Sequence, residues 1–227
     1  MNPAQRQQLL HAARAPRRAG AQDAPHLARL LAAAFRTDPV MDFIARTGMR
    51  REAALEHFFD NLLREMAIPL AEVWLSDPAV ACAVWLPPGR PAGRGGFMAQ
   101  LRLLSMFGRL CGPARLARGR AVARAMRAHH PQQPHYYLAF LAVAPRLQGV
   151  GLGTTLLEAT LKGVDAAGGA AYLENSNPRN TQLYLRAGFV DRGDIAPKGA
   201  PSLQAMWRTA RGAGEERGAQ GSSSLSQ

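Results

Sequence analysis

The sequence predicts one mixed α/β domain with a helical insertion ahead of its central strand. The segment HYYLAFLAVAP at 135–145 is apolar on both alternating sets of positions, which is typical of a central strand covered on both faces. After it, apolar runs of strand length alternate with runs of helical spacing. Before it, two helical stretches at 97–110 and 113–129 are separated by Cys111-Gly112-Pro113. Together these observations favour a single α/β domain.

The remaining elements follow in order along the chain. Residues 1–13 are expected to be a mobile tail and residues 209–227, rich in Gly, Ser and Ala, a disordered one. The domain between them, 14–208, carries the basic helical insertion at 89–134. Apolar spacing, caps and turn residues then predict the other elements: an edge strand at 14–20, helices between Asp23 and Asp38 and at 50–67, a hairpin of 72–76 and 80–88, a helix at 152–167, a strand at 170–176, a helix at 178–187, and strands starting at Phe189 and spanning 202–208.

The positive charge is concentrated in two segments. The formal net charge is +12, and residues 1–22 carry four Arg and no acid while residues 86–130 carry nine Arg and no acid. Cofactor phosphates, an acidic partner, nucleic acid and plain solvent are all compatible with such segments. Nucleic acid is not expected, because no aromatic residues interleave with these arginines and no nucleic-acid-binding motif accompanies them.

Several classes of protein are not expected. The apolar runs are shorter than the roughly 18 to 20 residues of a membrane span, and the first residues lack the apolar core of a secretory signal, so we expect no membrane association and a cytoplasmic protein. Cys82 and Cys111 lack metal-ligand spacing and are expected to be buried thiols rather than a disulfide or a nucleophile. His129, His130 and His135 also lack ligand spacing on one element, so no metal is expected.

The glycine loop QGVGLGTT at 148–155 joins the central strand to a helix, and three phosphate-binding patterns compete for it. A P-loop requires Lys followed by Ser or Thr after its last glycine, and Thr154 and Thr155 stand there instead. A dinucleotide fingerprint requires a third glycine where Thr154 stands, and no second nucleotide-binding half follows. The third pattern, Gln/Arg-x-x-Gly-x-Gly/Ala, fits Gln148, Gly151 and Gly153, with backbone N–H groups at a helix N-terminus facing a pyrophosphate.

With this loop, the segments YLAFLAVAPRLQGVGLG and YLENSNPRNTQLYLRAGF resemble the GCN5-related N-acetyltransferases (GNAT), most closely their puromycin N-acetyltransferase-like branch. The resemblance covers about residues 14–208 and is most specific over 136–190. It implies a central, mixed and mostly antiparallel sheet flanked by helices. It also implies acetyl-CoA as co-substrate. One position departs from the family, since Val150 stands where Arg or Lys is frequent.

The resemblance implies a coenzyme site along the central strand and the loop. Backbone groups of Leu141, Ala142 and Val143 would pair with the pantetheine arm. The loop would hold the pyrophosphate through Gln148, Gly149, Val150, Gly151, Leu152, Gly153 and Thr154, with the Thr154 hydroxyl as an extra donor. Arg146 lies nearby in sequence.

The resemblance also implies roles on the next helix. Asn180 and Tyr184 are four residues apart and share a helix face. Asn180 would hydrogen-bond to the pantetheine arm. Tyr184 would also contact the coenzyme and would protonate the departing thiolate. A phenol suits this role because it stays protonated at neutral pH. The alternative for Tyr184 is an ordinary half-buried helix tyrosine.

Three acids have alternative assignments. Glu174 closes an apolar strand, where it is either the base that takes the acceptor's proton, directly or through water, or a structural acid at the strand end. Asp38 and Asp42 are expected to cap a helix or face solvent, with recognition of a cationic acceptor by Asp42 as the alternative.

The function predicted is transfer of an acetyl group from acetyl-CoA to a primary amine of a small molecule or peptide, by direct attack in a ternary complex and without a metal. A non-catalytic acyl-CoA-binding module and a basic nucleic-acid-binding protein are the alternatives. The acceptor is open, because the helices expected to contact it, including the 89–134 insertion, match no known pattern. We expect a monomer or a homodimer.

Overall fold

The computed structural model describes residues 1–70, 72–89 and 97–211, with only the backbone described for residue 70 and residues 97–104. Within these ranges the chain forms seven strands and seven α-helices. The strands are β1 (Arg17–Arg18), β2 (Val73–Leu75), β3 (Ala81–Leu86), β4 (Tyr136–Val143), β5 (Ala171–Asn175), β6 (Val190–Ile195) and β7 (Leu203–Arg208). The helices are α1 (Pro3–Arg14), α2 (Ala24–Ala34), α3 (Pro39–Ile44), α4 (Arg51–Leu62), α5 (Phe97–His129), α6 (Leu152–Ala166) and α7 (Thr181–Arg186).

The seven strands form one sheet in the order β1-β2-β3-β4-β5-β7-β6. All neighbours are antiparallel except β4 and β5, which are parallel. The predicted fold class, a mixed and mostly antiparallel sheet flanked by helices, is therefore confirmed. The predicted hairpin is also confirmed, since Val73 pairs with Val84 and Leu75 with Cys82.

Each face of the sheet carries its own apolar core. One core lies under α2, α4 and α5 and contains Phe35, Phe59 and Phe140, whose rings meet at centroid distances of 5.2 to 5.8 Å. The other lies under α1, α6 and α7 and is built from residues such as Leu156 and Leu161. Burial of both faces of β4 agrees with its apolar composition at both parities.

Helix α1 departs from the expectation of a mobile tail at residues 1–13. Asn2 and Gln5 form a reciprocal capping box, and Pro3 occupies the first turn, where proline is favoured. Ala13 is fully buried, and Leu9 and Leu10 pack against the core beneath α6. The helix has few apolar residues, so its stability comes from docking on the domain and from its cap rather than from a broad apolar face.

The insertion contains two helical segments that meet at a sharp break. Gly112 has φ of 64°, outside the helical range, and Pro113 begins the second segment. The two helical stretches predicted on either side of Cys111-Gly112-Pro113 are therefore confirmed. The break is held by Arg115, whose guanidinium donates to the carbonyl groups of Asp42, Phe43 and Ala45 at the end of α3.

Both cysteines are free and buried, as predicted, and burial raises the pKa of the Cys82 thiol to about 12. None of the helices in the described part of the chain has the length and apolar character needed to cross a membrane. The predicted C-terminal tail lies outside the described residues from residue 212 onward, as do residues 90–96 of the insertion.

The side chain of Arg208, in β7, contacts the ends of both α6 and α7. The Arg208 side chain is 3% exposed, and its Nη2 donates to Asp165 Oδ2 at 2.8 Å while its Nε donates to the Ala187 carbonyl at 3.0 Å. Arg208 thus links the end of α6 to the C-terminal turn of α7. Removing the carboxylate would leave a buried guanidinium without its counter-ion.

We therefore expect Asp165→Asn to lower the free energy of unfolding by about 3 kcal/mol. Urea denaturation of Asp165→Asn beside Asp60→Asn measures this. Asp60 pairs with Arg64 one helical turn away on the exposed surface, where loss of the pair costs about 0.5 kcal/mol. Equal stabilities for the two variants would contradict the role given to Arg208.

Candidate active site

The central feature of the site is a gap between the two parallel strands. β4 pairs with β3 along its length but pairs with β5 only at Tyr136 and Tyr137. Beyond Tyr137 the strands diverge, while β5 continues to pair with β7 as far as Asn175. Ala139 has no partner in β3, because the register shifts between Val84 and Trp85, and such a bulge bends a strand.

The divergence leaves backbone groups of β4 facing the gap. The Ala144 N–H donates to the Val80 carbonyl, so Ala144 faces β3. Because the peptide groups of successive residues point in opposite directions, Ala142 also faces β3, whereas Leu141 and Val143 face the gap. Two of the three residues predicted to pair with pantetheine therefore have the required orientation. The Val143 carbonyl accepts from the Gln148 side chain at 3.2 Å.

The glycine loop closes one end of this gap. Gly149 and Gly151 have φ of 78° and 100°, in the region that disfavours other residues, and Gly151 is the N-cap of α6. The first N–H groups of any helix lack an intrahelical acceptor, and Gly151 has no side chain to accept from those of α6. The loop therefore presents backbone donors and the positive end of a 15-residue helix at the mouth of the gap.

The third glycine, Gly153, lies between β4 and α7. A Cβ there would be in ordinary van der Waals contact, at 3.5 Å, with the Val143 and Leu183 side chains. A Cβ on Gly149 would meet nothing within 4 Å. The backbone conformation therefore requires glycine at 149 and 151, whereas nothing in the contacts requires it at 153.

Helix α1 reaches this loop as well. The Arg6 Nε donates to the Val150 carbonyl at 3.3 Å, and the Leu10 side chain lies 3.5 Å from the position of a Cβ on Gly151. A guanidinium from the N-terminal helix is therefore held at the loop position where Val150 replaces the family's basic residue. The four-residue spacing of Arg6 and Leu10 is a signal in the sequence, but nothing in it identifies the loop as their partner.

Tyr184 lies on the α7 side of the gap. It is 8% exposed, and its ring meets Phe189 edge to face at 6.1 Å. Burial, and after it the charge of Asp38, raises the pKa of Tyr184. The phenol is therefore held protonated at neutral pH. Asn180, predicted to face the same ligand, is exposed at the N-cap of α7.

Asp38 connects the first helices to the end of the gap. As expected for a cap, its Oδ1 accepts from the N–H groups of Val40 and Met41 at the start of α3. Its Oδ2 accepts from the Ser176 hydroxyl, just after β5. The carboxyl is 7% exposed, and burial raises its pKa. Asp42 is instead 75% exposed and pairs with Arg51 at 3.3 Å.

Glu174 lies on the opposite face of the sheet from Tyr184. Its side chain is 1% exposed, and its Oε2 accepts from the Tyr137 hydroxyl at 2.5 Å. Burial first, and then the charge of Glu174, raises the pKa values of both Tyr137 and Tyr172, so both phenols stay protonated. His130 and His135 also lie in this cluster. The sequence did not predict their proximity to Glu174, because they precede it by about 40 residues.

The two acid–base candidates therefore approach the gap from opposite sides. Leu173 belongs to the core beneath α6 and α7 together with Tyr184, whereas Tyr172, on the same face as Glu174, belongs to the other core. An extended ligand lying in the gap would have a phenol on one side and a carboxylate on the other. Such a pair suits a reaction that takes one proton and gives another.

Comparison with known proteins identifies the family of the chain. A model described as "Acetyltransferase (GNAT) family" matches residues 49–189, more than half of the chain. This chain is similar to a Corynebacterium glutamicum structure described as "histone acetyltransferase HPA2 and related acetyltransferase". The two share 25% identity with a TM-score of 0.65, and the alignment covers 87% of this chain and 96% of the other.

Two insect enzymes share the fold at lower identity. The Drosophila melanogaster polyamine N-acetyltransferase has 18% identity and a TM-score of 0.58, covering 86% of this chain and 98% of its own. The arylalkylamine N-acetyltransferase 2 of Aedes aegypti has 12% identity and a TM-score of 0.57, with the same coverage of 86% and 98%. From the family match and the shared architecture, the chain belongs to the GNAT family of acetyltransferases.

Proposed function

We propose that the protein transfers an acetyl group from acetyl-CoA to a primary amine of a small molecule or peptide. The observation that carries the proposal is the gap between β4 and β5, closed at one end by the glycine loop. A strand edge whose peptide groups lack a neighbour recognises an extended chain bearing amide groups, and pantetheine is such a chain. Membership of the acetyltransferase family supports acetyl-CoA as the donor.

The donor would lie along β4 with its pyrophosphate on the loop. Leu141 and Val143 offer backbone groups to the pantetheine amides once the Gln148 side chain releases the Val143 carbonyl. The N–H groups at the start of α6, from Leu152 to Thr154, offer donors to the pyrophosphate. Arg6, held on Val150, adds a positive charge there, and Arg146 is exposed in the turn before the loop.

The chemistry would need no covalent intermediate. The acceptor nitrogen attacks the thioester carbon, the carbon–sulfur bond breaks, Tyr184 gives a proton to the departing thiolate, and Glu174 takes a proton from the amine. The protein lowers the barrier chiefly by holding the two reactants together and by moving these protons. Cys82 and Cys111 have no part in it, since both thiols are buried.

The acceptor would enter from the side of α2, α3 and the insertion. Asp38, at the start of α3, accepts from the hydroxyl of Ser176, just after β5, at that end of the gap. Membership of the puromycin N-acetyltransferase-like branch and a cytoplasmic location stay predictions.

Calorimetric titration with acetyl-CoA and CoA, followed by thiol release with a panel of agmatine, spermidine, tryptamine, puromycin and a peptide with a free N-terminus, tests the proposal. Binding of acetyl-CoA with release of CoA in the presence of at least one amine is the expected result. Absence of acetyl-CoA binding would overturn the proposal.

Gly151→Glu is expected to abolish acetyl-CoA binding while the protein stays folded. The side chain would place a negative charge among the loop donors, and the residue would have to adopt φ near 100°. Gly163→Glu adds the same charge on an exposed turn of α6 with open space around it, and should bind as the wild type does. Calorimetry on both variants decides, and retained affinity in Gly151→Glu would contradict the loop assignment.

Tyr184→Phe is expected to lower kcat about 100-fold, because it removes the proton donor for the thiolate and keeps the ring that packs on Phe189. The dissociation constant for acetyl-CoA should change less than twofold. Tyr136→Phe, a half-buried tyrosine of the same core, is the matched control and should keep the wild-type kcat. An unchanged kcat in Tyr184→Phe would exclude this role for Tyr184, and an inactive wild type that still binds acetyl-CoA would favour a non-catalytic binding module.

A further inference from the structure

A cluster of aromatic and imidazole rings surrounds Glu174 at the start of the gap. The His130 ring lies 4.9 to 5.2 Å from the rings of His135, Tyr137 and Tyr172, measured between centroids. His130 follows directly after α5, so the basic insertion contributes it. Tyr137 and Tyr172 face each other in the last pair between β4 and β5.

The two oxygens of Glu174 have different surroundings. Oε2 accepts from Tyr137, whereas Oε1 is buried and has no hydrogen-bond partner among the described residues. The Tyr172 hydroxyl is also buried without a partner at hydrogen-bond distance, and it lies close enough to Glu174 for the carboxylate to raise its pKa. Buried polar atoms are nearly always hydrogen bonded, so each unsatisfied one needs an explanation, such as a catalytic role. Oε1 is thus the carboxylate oxygen without a hydrogen bond in the described chain, and His130 faces it.

His130 is the group that connects this oxygen to solvent. Its Nδ1 lies 3.6 Å from Glu174 Oε1, slightly beyond hydrogen-bond distance, and its side chain is 37% exposed. His135 is 9% exposed, its Nδ1 is already bonded to the Gln133 carbonyl, and burial lowers its pKa. In the described part of the chain, the titratable groups facing His130 are Glu174, His135, Tyr137 and Tyr172.

We propose that His130 relays the acceptor's proton from Glu174 to solvent, an inference that rests on the proposed function. The amine proton passes to Glu174 Oε1 as the carbon–nitrogen bond forms. It then passes to His130 Nδ1, the ring releases a proton from Nε2 to water, and tautomer exchange moves the remaining proton from Nδ1 back to Nε2. His130 acts through Glu174 and does not contact the substrate, so it is a positioning residue.

This assignment gives the insertion a chemical role. The Glu174 side chain is 1% exposed whereas that of His130 is 37% exposed, so His130 offers the carboxyl group a path to bulk water. The Tyr137 and Tyr172 phenols, whose pKa values are raised, do not take up that role. The end of α5 supplies the only imidazole that both faces Glu174 and reaches the surface in the described chain.

The test is rescue of His130→Ala by imidazole in the acetyl-transfer assay. We expect His130→Ala to lower kcat about tenfold with the KM for acetyl-CoA unchanged, and added imidazole to restore most of the loss, because the vacated site opens to solvent. Glu174→Gln should lose about 100-fold or more, and the double variant should be no slower than Glu174→Gln alone, since the two residues act on one proton.

His129→Ala is the matched control. His129 is exposed, its Nδ1 bonds to the Ala125 carbonyl of its own helix, and its removal should change neither kcat nor the response to imidazole. A His130→Ala variant with wild-type kcat, or a loss that imidazole does not restore, would overturn the relay alone. A wild type that transfers acetyl to no amine would overturn the proposed function and the relay with it.

Discussion

The site depends on how little β4 and β5 pair with each other. Two neighbouring parallel strands normally satisfy each other's peptide groups along their whole length, and here they do so at Tyr136 and Tyr137 alone. An unpaired peptide group inside a protein is costly, so a structure keeps one where something else is to bind. The bulge at Ala139 bends β4 where it leaves β5, and the glycine loop, Tyr184 and Glu174 lie around the opening that results.

The two faces of the sheet contribute different parts of the site. On one face, α6 and α7 bring the glycine loop and Tyr184, and the Arg208 side chain joins the ends of these two helices. On the other, the first helices and the insertion bring Asp38 and the cluster around Glu174. In the proposed function, the first of these faces holds the donor and the second borders the acceptor.

Most of the fold was predictable because its determinants are local. Apolar residues at both parities predicted β4, and the glycine pattern predicted the turn from that strand into α6. The docking of α1 was missed, because a helix with few apolar residues and an exposed arginine has the composition of a tail. His130 and Tyr137 were missed for another reason: their partner Glu174 is distant in sequence, and a contact between separate elements leaves no periodic signal.

Docking of α1 on the glycine loop has a practical consequence for handling the protein. Asn2 caps a helix whose first two turns place Arg6 on Val150, so a polypeptide fused ahead of residue 2 would emerge close to the loop. An acidic tag at that end would place negative charge beside the backbone donors of the loop. Affinity handles, immobilisation and labels are better placed at the other end of the chain.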